Sequence, residues 1–320
     1  MSVPEDTLAL LRRRFPALTF VGADDAETLR REAADADVFY GWRFPPELVP
    51  HAPRLRWIQS ASAGVEDNLS PELRERGILL TNGAGIAAGG IAEHVLALLL
   101  GFCRNLPAAA RLQRERRWDR PAVMAGDGAS IREFAGSRVA VLGLGPIGRA
   151  VAERSVALGA VVRGMRRHPP GVPTPPYDAV VGPEGLGALL AWAEFIVVAL
   201  PHTAETTGMI GARELARMRP DACLVNVARG AVVDEDALVE ALERGAIAGA
   251  GLDVFEAEPL PPSSPLWGLP NVVVTPHVAG ATPRYLERAL ALFIDNLERF
   301  LARQPLENVV DPTLGYPSRS

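Results

Sequence analysis

Three side chains in the second half of the chain have types that together suit the reduction of a carbonyl group. Arg229, Glu258 and His277 each come shortly after an apolar, strand-like run. An arginine keeps its charge in a protein, and its planar fork matches a carboxylate. A histidine can transfer a proton near neutral pH, and a glutamate bonded to its ring would orient it and favour its protonated form. The three residues could therefore bind a 2-oxo acid, polarise its ketone and protonate the alkoxide that forms when a hydride arrives.

Each of these residues also has an ordinary structural explanation. His277 could be a packed or capping group, the pair Glu258-Pro259 could be a turn, and Arg229 could be the partner of a nearby carboxylate. Parallel strands, however, end at the same edge of their sheet, which is where open α/β sheets bind ligands. The joint occurrence of the three residues after strands therefore favours one active site.

A glycine-rich segment, RVAVLGLGPIGRAVAERSVALGA, is typical of a dinucleotide-binding turn. An apolar strand leads into Gly143, Gly145 and Gly148, and a helix is predicted from Pro146 onward, with Ile147 in the same turn. In this motif the glycines allow a tight turn, a close approach of the backbone to pyrophosphate and close packing of the helix on the strand. The helix N-terminus adds free N–H groups and a partial positive charge. A merely tight turn is the alternative, but the strand, the helix and the second strand that follows favour a nucleotide site.

The residues after that second strand indicate which dinucleotide binds. In an NAD site an acidic residue near this point accepts hydrogen bonds from the ribose hydroxyls. Here Arg166 and Arg167 occupy the position. Arginines would bind the 2′-phosphate of NADP, and each charge-assisted hydrogen bond would contribute roughly 1.5–3 kcal/mol. We therefore expect NADP(H) to be preferred, with NAD(H) possible; the alternative is a pair of solvated surface arginines.

The composition excludes several classes of protein. The chain has 320 residues, of which 48% are hydrophobic, and its net charge of -5 provides no basic surface for nucleic acid. Its apolar runs are far shorter than the ~20 residues that span a bilayer, so we expect a cytoplasmic protein. All 33 basic residues are arginine, which excludes catalysis by a lysine Schiff base, a P-loop lysine or a tyrosine–lysine pair. Cys103 and Cys223 lie in apolar runs and indicate neither a disulfide nor a metal site.

Strand-like runs alternate with helical stretches along the chain, which predicts an α/β fold with parallel sheets. The predicted strands are 18–21, 38–41, 55–59, 78–81, 139–142, 161–163, 195–199, 223–227, 249–252 and 272–275. Long helices are predicted at 89–105 and 283–301. The first of them is apolar around most of its circumference, so we expect it to be buried on most sides.

Several stretches are similar to those of one enzyme family. They are WIQSASAGVED, TNGAGIAAGGIAEHVLALLLGFCRN, VAVLGLGPIGRAVA, ALPHTAETTGMIG, LVNVARGAVVDEDALVEAL, GAGLDVFEAEPL and NVVVTPHVAG. With these stretches the chain resembles, over nearly its whole length, the D-isomer-specific 2-hydroxyacid dehydrogenases, and among them the glyoxylate/hydroxypyruvate reductase-like branch. The resemblance implies that Arg229, Glu258 and His277 are the catalytic set. Arg229 would clamp the substrate, and His277, braced by Glu258, would be the general acid/base.

The resemblance also implies where the substrate binds. The loop SAGVE is similar to the segment whose backbone N–H groups receive the substrate carboxylate, which implicates Ala63, Gly64 and Val65. Trp42 resembles an aromatic residue at the substrate mouth in the glyoxylate/hydroxypyruvate reductase-like branch.

Further cofactor positions follow from the same resemblance. Thr206 matches a threonine near the cofactor phosphates, and Ala228 matches a position around the nicotinamide. Asp253 matches an aspartate that faces the nicotinamide amide. The arginine pair, Arg166 and Arg167, fits NADP-preferring members of the family.

The family's fold predicts two Rossmann-like or flavodoxin-like lobes with parallel sheets. Residues 1–102 and 287–320 would form a substrate-binding domain from both chain termini, and residues 103–286 would form a central dinucleotide-binding domain. The usual assembly is a homodimer built on the central domain, and hinge closure of the two lobes would exclude water.

The expected function is NADP-preferring reduction of a 2-oxo acid to the D-2-hydroxy acid. Candidate substrates are glyoxylate, hydroxypyruvate and aryl or alkyl pyruvates. Formate or phosphite oxidation on the same scaffold is a second hypothesis, although formate dehydrogenases of this family have a glutamine where Pro276 stands. A third is a cofactor-sensing binding protein with negligible turnover, like the co-repressor relatives of the family.

Overall fold

The chain forms two compact units. The computed structural model describes residues 4–65, 68–169, 172, 174–311 and 315–317. Contacts between Cα atoms group Met1–Ile86 with Pro283–Ser320 as the first unit, and Ala87–Thr282 as the second.

Helices and strands alternate through both units. The helices are α1 (Glu5–Arg14), α2 (Ala26–Ala33), α3 (Pro71–Glu75), α4 (Ala88–Cys103), α5 (Leu106–Arg114), α6 (Arg120–Ala125), α7 (Pro146–Ala157), α8 (Leu186–Trp192), α9 (Ala212–Leu215), α10 (Glu235–Glu243) and α11 (Tyr285–Leu301). The strands are β1 (Val38–Gly41), β2 (Trp57–Ser60), β3 (Leu79–Thr81), β4 (Arg138–Leu142), β5 (Val161–Met165), β6 (Ala179–Val181), β7 (Phe195–Val198), β8 (Cys223–Asn226), β9 (Gly249–Leu252), β10 (Val272–Val274), β11 (Val310–Asp311) and β12 (Tyr316–Pro317).

The sheet of the second unit is parallel and doubly wound. Its strand order is β10-β9-β8-β7-β4-β5-β6. The order reverses beside β4, because the chain first moves outward to β6 and then returns to the other side of β4 as β7. At such a point the loops after neighbouring strands diverge and leave a crevice. The glycine-rich turn after β4 lies at this place.

Both faces of this sheet are buried. In β4, Val139 and Val141 pack into a cluster with residues of α4 and α7, whereas Ala140 and Leu142 pack into a cluster with residues of α8 and α10. Parallel strands that are covered on both faces need apolar side chains at nearly every position. This explains the continuous apolar runs in the sequence, and the predicted α/β class with parallel sheets is confirmed.

Helix α4 groups with the second unit, whereas the sequence-based boundary after residue 102 assigned it to the other domain. Its side chains Val95, Leu99 and Cys103 are buried in the cluster on the α7 face of the sheet. The second boundary also differs, because the units divide after Thr282 and the sequence suggested residue 286. The apolar circumference of the helix predicts burial, but it does not identify the sheet that buries it.

The first unit joins both ends of the chain in one core. Its three-stranded parallel sheet has the order β1-β2-β3. Trp57 of β2 stacks with Phe293 of α11, with 5.7 Å between the ring centroids. The Oε1 atom of Gln59 accepts hydrogen bonds from Asn296 at 2.9 Å and from the Thr81 hydroxyl at 2.8 Å. Buried polar bonds of this kind fix how α11 sits on the strands.

The strand predicted at 18–21 does not form, and this prediction is wrong. The segment has no strand structure, although Leu18 and Phe20 pack against the cluster that contains Trp57 and Phe293. Its apolar pattern therefore reflects side-chain burial in an irregular segment. Conversely, the three-residue edge strand β6, which pairs with β5, was not predicted from the sequence.

Two kinds of feature are absent from the part of the chain that the structure describes. No single helix there is long and apolar enough to cross a bilayer; α4 and α5 meet that test only as a pair, by length and composition, across a bend of 73°. Within the same residues, no group of three or more histidine, cysteine, aspartate or glutamate side chains is placed to hold a metal ion.

Candidate active site

The predicted catalytic residues follow three adjacent parallel strands. Strands β8, β9 and β10 are neighbours in the sheet of the second unit. Arg229 follows β8, Glu258 follows β9 and His277 follows β10. Because parallel strands end at the same edge of a sheet, the three loops begin side by side. This is the edge that also carries the glycine-rich turn after β4.

Glu258 fixes the ring of His277. Its Oε2 atom lies 2.7 Å from Nδ1 of the imidazole, and its Oε1 atom accepts the backbone N–H of Phe255 at 3.1 Å. An ionised carboxylate only accepts hydrogen bonds, so Nδ1 carries a proton. The Nε2 atom is then the nitrogen that can exchange a proton with a ligand. Since the His277 side chain is 51% exposed, a ligand can reach it.

The backbone at His277 is held in an unusual conformation. Its φ angle is 52°, in the left-handed region that L residues seldom adopt. The N–H of His277 lies 2.9 Å from the carbonyl oxygen of Asp253 and 3.0 Å from that of Thr275. The carboxylate of Asp253 accepts the N–H groups of Val278 at 3.0 Å and Ala279 at 2.9 Å. Asp253 therefore holds the loop on both sides of the histidine, in addition to the nicotinamide contact that the sequence suggests for it.

Arg229 lies at the entry to a short 3-10 turn, Gly230–Val232. The Nη1 atom of its guanidinium donates to the carbonyl oxygen of Ala228 at 2.8 Å. Asn226, which is buried at the end of β8, donates its amide to the Arg229 carbonyl oxygen at 3.0 Å and accepts the Ala228 N–H at 3.0 Å. The backbone around the arginine is thus clamped by one buried amide side chain.

The Arg229 loop and the Glu258 loop are in contact. A Cβ atom at Gly230 would lie 1.9 Å from the backbone carbon of Phe255, so only glycine allows this approach. In addition, the backbone N–H of Glu256 donates to the carboxylate of Glu235 at 3.2 Å. The loop that carries the cation and the loop that braces the imidazole are therefore packed together.

The glycine-rich turn fits a dinucleotide. Gly143 has a φ angle of 98°, and a Cβ at Gly148 would lie 1.9 Å from the Gly143 carbonyl oxygen, so the protein itself requires both glycines. At Gly145, the N-cap of α7, a Cβ would meet no atom of the described residues within 4 Å. Open space at the start of a helix with Pro146 in its first turn is where the motif places the pyrophosphate. Ile147 packs on the core cluster behind the turn.

Arg166 and Arg167 lie at the end of β5 and are both exposed. The guanidinium of Arg167 forms a short ion pair with Glu205, a residue of the loop after β7. Near Arg166, the Tyr177 hydroxyl is buried and has no hydrogen-bond partner among the described residues, and burial raises its pKa to about 12. The second strand of the nucleotide motif therefore ends in a cationic pair that is opposed by one carboxylate.

Two positions that the resemblance assigned to the cofactor have well-defined partners within the protein. The Thr206 hydroxyl donates to the Pro201 carbonyl oxygen at 2.7 Å and accepts the Thr203 N–H at 2.8 Å, so it closes the turn after β7. Ala228 is buried, with its N–H and C=O groups held by Asn226 and Arg229. Both positions lie beyond the carboxyl ends of strands, as a cofactor role requires.

In the first unit, the predicted substrate loop follows β2. Ala63 is exposed, Gly64 is half-buried and Val65 is buried. Asn82 donates to the Ala63 carbonyl oxygen at 2.7 Å. This bond anchors the start of the loop.

The aromatic residue predicted at the substrate mouth has a partner on α11. Trp42 stacks on Tyr285, with 5.4 Å between the ring centroids. The Tyr285 hydroxyl donates to the Ala61 carbonyl oxygen at 2.9 Å. The Trp42 carbonyl oxygen accepts the Ser60 hydroxyl at 3.1 Å. The aromatic pair is thus tied to the strand end that leads into the substrate loop.

A family model described as the NAD binding domain of D-isomer specific 2-hydroxyacid dehydrogenases matches residues 96–279, which is more than half of the chain. The chain belongs to the D-isomer specific 2-hydroxyacid dehydrogenase family. It is therefore an oxidoreductase with an NAD(P)-binding Rossmann domain, and the family and enzyme class predicted from the sequence are confirmed.

Individual relatives support the same branch of the family. A glyoxylate/hydroxypyruvate reductase B of Pectobacterium carotovorum is 34% identical over 313 residues, covering 97% of this chain and 96% of the relative. An NADPH-dependent glyoxylate/hydroxypyruvate reductase of Sinorhizobium meliloti, solved with NADP and sulfate, superposes with a TM-score of 0.83 at 29% identity, covering 98% and 97% of the two chains. A family member of Xanthobacter autotrophicus, solved with NADPH and MES, superposes with a TM-score of 0.80 at 32% identity. The match covers 98% of this chain and 96% of the relative.

Several residues that position the predicted site were not singled out from the sequence. Among them are Asn226, Thr275, Glu205 and Tyr285. Asn226 ends the apolar strand β8, and Thr275 follows the apolar strand β10. A polar side chain at the end of an apolar run was therefore a sequence signal that could have identified both residues. Glu205 and Tyr285 gave no local signal, because their partners lie 38 and 224 or more positions away in the chain.

Proposed function

We propose that this 2-hydroxyacid dehydrogenase reduces a small 2-oxo acid to the D-2-hydroxy acid, with NADPH as the preferred hydride donor. The proposal is carried by the 2.7 Å contact between His277 Nδ1 and Glu258 Oε2 beside the loop of Arg229. With Nδ1 engaged by the carboxylate, Nε2 is the atom that moves the proton. A positioned acid and a fixed cation at the carboxyl ends of neighbouring strands are the groups that this reduction needs.

Each residue has one task in the reduction. Arg229 binds the substrate carboxylate and polarises the ketone, because its fork stays charged and donates several hydrogen bonds. His277 gives its Nε2 proton to the ketone oxygen, while Glu258 keeps the ring oriented. A reduced nicotinamide, when bound, supplies the hydride for the carbonyl carbon. In the opposite direction, His277 takes the proton back from the hydroxyl group.

The dinucleotide-binding residues are proposed to be the glycine-rich turn and the cationic pair. Gly145, Ile147 and Gly148 would present backbone N–H groups to the pyrophosphate, and the open space at Gly145 supports this role. Pro146, which has no N–H, would start the helix, and Gly143, whose N–H donates to the Met165 carbonyl oxygen at 3.0 Å, would form the tight turn. The preference for NADPH is supported by the arginine pair at the end of β5, which attracts a 2′-phosphate where an acidic residue would repel it. Two relatives solved with NADPH or NADP support the same preference.

The cationic pair itself consists of Arg166 and Arg167. Thr206 would lie near the phosphates, and Ala228 and Asp253 would lie around the nicotinamide. These residues lie in the segments that follow β5, β7, β8 and β9. All four segments begin at the carboxyl edge of the sheet.

The proposed substrate is a small 2-oxo acid such as glyoxylate or hydroxypyruvate, which are the substrates in the names of the relatives. In the second unit Arg229 is proposed to bind the substrate carboxylate. In the first unit the backbone N–H groups of Ala63, Gly64 and Val65 are proposed as substrate-binding groups. Trp42 would form part of the pocket wall for the substrate side chain. The first unit is accordingly proposed as the substrate-binding domain, and the second as the dinucleotide-binding domain.

A homodimer is proposed through the segment that contains α5 and α6. Leu106 is 56%, Trp118 is 99% and Met124 is 50% exposed, so this segment of the second unit carries three exposed large apolar side chains. Tryptophan and methionine are enriched at protein interfaces relative to the rest of the surface. Light scattering should give twice the mass of the chain, and Trp118→Asp should reduce it to the monomer mass.

One plate of assays tests the reaction. Oxidation of NADPH and NADH is followed with glyoxylate, hydroxypyruvate, phenylpyruvate and branched 2-oxo acids, using the native protein and His277→Ala. General-acid catalysis contributes roughly 10²–10⁴ in rate, or about 3–5 kcal/mol of barrier. The variant should lose that factor while NADPH binding stays nearly unchanged. Turnover that survives in His277→Ala, or no turnover of any acid by the native protein, would refute the proposal.

A second experiment tests the cofactor preference. Arg166→Asp should lower the ratio of NADPH to NADH efficiency by about ten- to a hundred-fold, because it replaces an attraction to the 2′-phosphate by a repulsion. Arg213→Asp, an exposed arginine on α9, serves as the control. An unchanged ratio in Arg166→Asp would remove this residue from the phosphate site.

A further inference from the structure

We propose that His94 is a positioning residue for the acid–base loop, and that it acts on His277 through Thr275 and Asp253. The inference rests on the proposed role of His277 as the proton donor. His94 lies on α4, and its Nε2 atom is 3.1 Å from the hydroxyl oxygen of Thr275. All four residues belong to the second unit.

The direction of the bond between His94 and Thr275 follows from the carboxylate beside it. The Thr275 hydroxyl lies 2.6 Å from Oδ1 of Asp253, which is 2% exposed. A carboxylate accepts hydrogen bonds and a hydroxyl has a single proton, so Thr275 donates that proton to Asp253. The Thr275 oxygen can then only accept from His94, which must carry its proton on Nε2. A direct hydrogen bond from His94 to Asp253 does not compete with the bond to Thr275, because His94 Nε2 and Asp253 Oδ1 are 3.8 Å apart.

Asp253 passes this constraint to the acid–base loop. Its two carboxylate oxygens accept the N–H groups of Val278 and Ala279, and its carbonyl oxygen accepts the N–H of His277. These bonds hold the left-handed backbone at His277, which an L residue keeps only when its surroundings impose it. Through Thr275, His94 therefore orders the carboxylate that orders the loop.

Packing alone does not explain a histidine at this position. Helix α4 is otherwise apolar along the side that contributes Val95, Leu98 and Leu99 to the core. The His94 side chain is only 20% exposed, and burying a ring N–H costs free energy unless it has a partner. An aliphatic residue would pack there without that cost. The bond to Thr275 is the contact that a histidine adds.

Loss of the donor at position 94 should loosen Thr275. The Thr275 hydroxyl has a second, poorer acceptor in the Leu252 carbonyl oxygen at 3.4 Å. Without His94 the hydroxyl can turn between Leu252 and Asp253, so Asp253 is less firmly held. The imidazole of His277 then samples positions away from the ketone oxygen. Since a misplacement of about 1 Å can lower a rate by roughly 100-fold, a partial loosening should lower kcat by about tenfold.

The experiment compares variants that keep the donor with variants that remove it. His94→Gln places an amide N–H where Nε2 was, so its kcat should stay within about threefold of the native value. His94→Leu should lower kcat by about tenfold, and any change in the NADPH dissociation constant should be smaller, because the turn at Gly145 would still bind the pyrophosphate. His94→Met, whose flexible side chain fills irregular space, is the second donor-free variant if the leucine variant does not fold. Thermal unfolding confirms that each variant is compared in its folded state.

A double-mutant cycle ties the effect to Thr275. Thr275→Val removes the hydroxyl and Thr275→Ser keeps it, so only the valine variant should be impaired. If His94 acts through that hydroxyl, combining His94→Leu with Thr275→Val should lower kcat no further than Thr275→Val alone. A separate readout that does not depend on turnover is ¹⁵N NMR of histidine-labelled protein, in which His94 should carry its proton on Nε2.

Other outcomes would overturn the inference. They are additive losses in the cycle, a native kcat in both donor-free variants, equal impairment of His94→Gln and His94→Leu, or a His94 ring protonated on Nδ1 alone. The proposed reaction is tested separately by His277→Ala. If that variant loses turnover while the donor-free variants do not, the positioning role fails and the reaction stands. If it keeps turnover, the reaction itself fails.

Discussion

The Nδ1 atom of His277 lies 2.7 Å from Oε2 of Glu258, whose other oxygen accepts the N–H of Phe255 at 3.1 Å. Both oxygens of the carboxylate are thus engaged, one by the ring and one by the backbone. Such a carboxylate cannot rotate without breaking a bond, so it fixes the ring in one orientation. The contact spans 19 positions of sequence and connects the loops after two neighbouring strands.

Replacing Glu258 by alanine should lower kcat by about 100-fold, because the imidazole loses the bond that fixes its orientation and its Nδ1 proton. The NADPH dissociation constant, measured by fluorescence, should change little. Glu256→Ala is the matched control, since this exposed carboxylate bonds to the backbone of Glu235 and not to the histidine. Equal losses in both variants would argue that the loop, and not the carboxylate, matters.

Arg229→Lys should lower kcat/KM for the 2-oxo acid by about ten- to a hundred-fold. Lysine keeps the charge but loses the planar fork, and each charge-assisted hydrogen bond is worth roughly 1.5–3 kcal/mol. Steady-state kinetics at saturating NADPH measures the effect. Arg213→Lys, at an exposed position on α9, should behave as the native enzyme. A native kcat/KM in Arg229→Lys would mean that the substrate carboxylate is bound elsewhere.

Two glycine variants should separate cofactor binding from folding. Gly148→Ala should destabilise the protein by at least about 1–3 kcal/mol, because its Cβ would lie 1.9 Å from the Gly143 carbonyl oxygen. The added Cβ of Gly145→Ala meets no atom of the described part of the chain within 4 Å. This variant should lower the free energy of unfolding by no more than about 1 kcal/mol, from a poorer N-cap. It should nevertheless weaken NADPH binding strongly. Thermal unfolding and NADPH titration test both; tight NADPH binding by Gly145→Ala would contradict the proposed pyrophosphate site.

Glu205→Gln should raise the affinity for NADPH and leave that for NADH unchanged. The Glu205 carboxylate pairs with Arg167 and would compete with the 2′-phosphate for the guanidinium. Exposed ion pairs contribute about 0.2–1 kcal/mol, so the affinity for NADPH should rise by no more than about fivefold. Glu214→Gln on α9 is the control. A weaker affinity for NADPH would show that Glu205 orients the arginine for the phosphate and does not oppose it.

The two thiols should be unreactive in the folded protein. Burial raises the pKa of Cys223 to about 12 from the ordinary 9.0, and it also raises the pKa of Cys103. At pH 8 Ellman's reagent should therefore label neither thiol in the native state and both in guanidinium chloride. Because the folded pKa is the higher one, the neutral Cys223 thiol stabilises the fold below pH 9, and that contribution is lost as the pH rises toward 12. Rapid labelling of the native protein would contradict this burial.

Local patterns were sufficient for part of the fold and of the site. The apolar runs of β4, β7 and β8 were identified because both faces of a parallel sheet are buried, which makes nearly every position apolar. The glycine-rich turn was identified because its conformational demands involve residues a few positions apart. The segment 18–21 was predicted wrongly for a related reason, since an irregular segment that buries Leu18 and Phe20 has the same local pattern as a strand.

The sequence by itself determined the family, the parallel α/β class, the nucleotide-binding turn and the residue types that suit a 2-oxo acid reduction. Those features depend on composition and on spacing within single elements. Only the tertiary structure decided that Glu258 holds His277, that Asn226 and Gly230 place the Arg229 loop, that Glu205 opposes Arg167 and that His94 reaches Thr275. Each of these contacts joins loops or helices whose relative positions follow from the strand order of the sheet. Strand order is set by the packing of the whole unit, and no short stretch of sequence contains it.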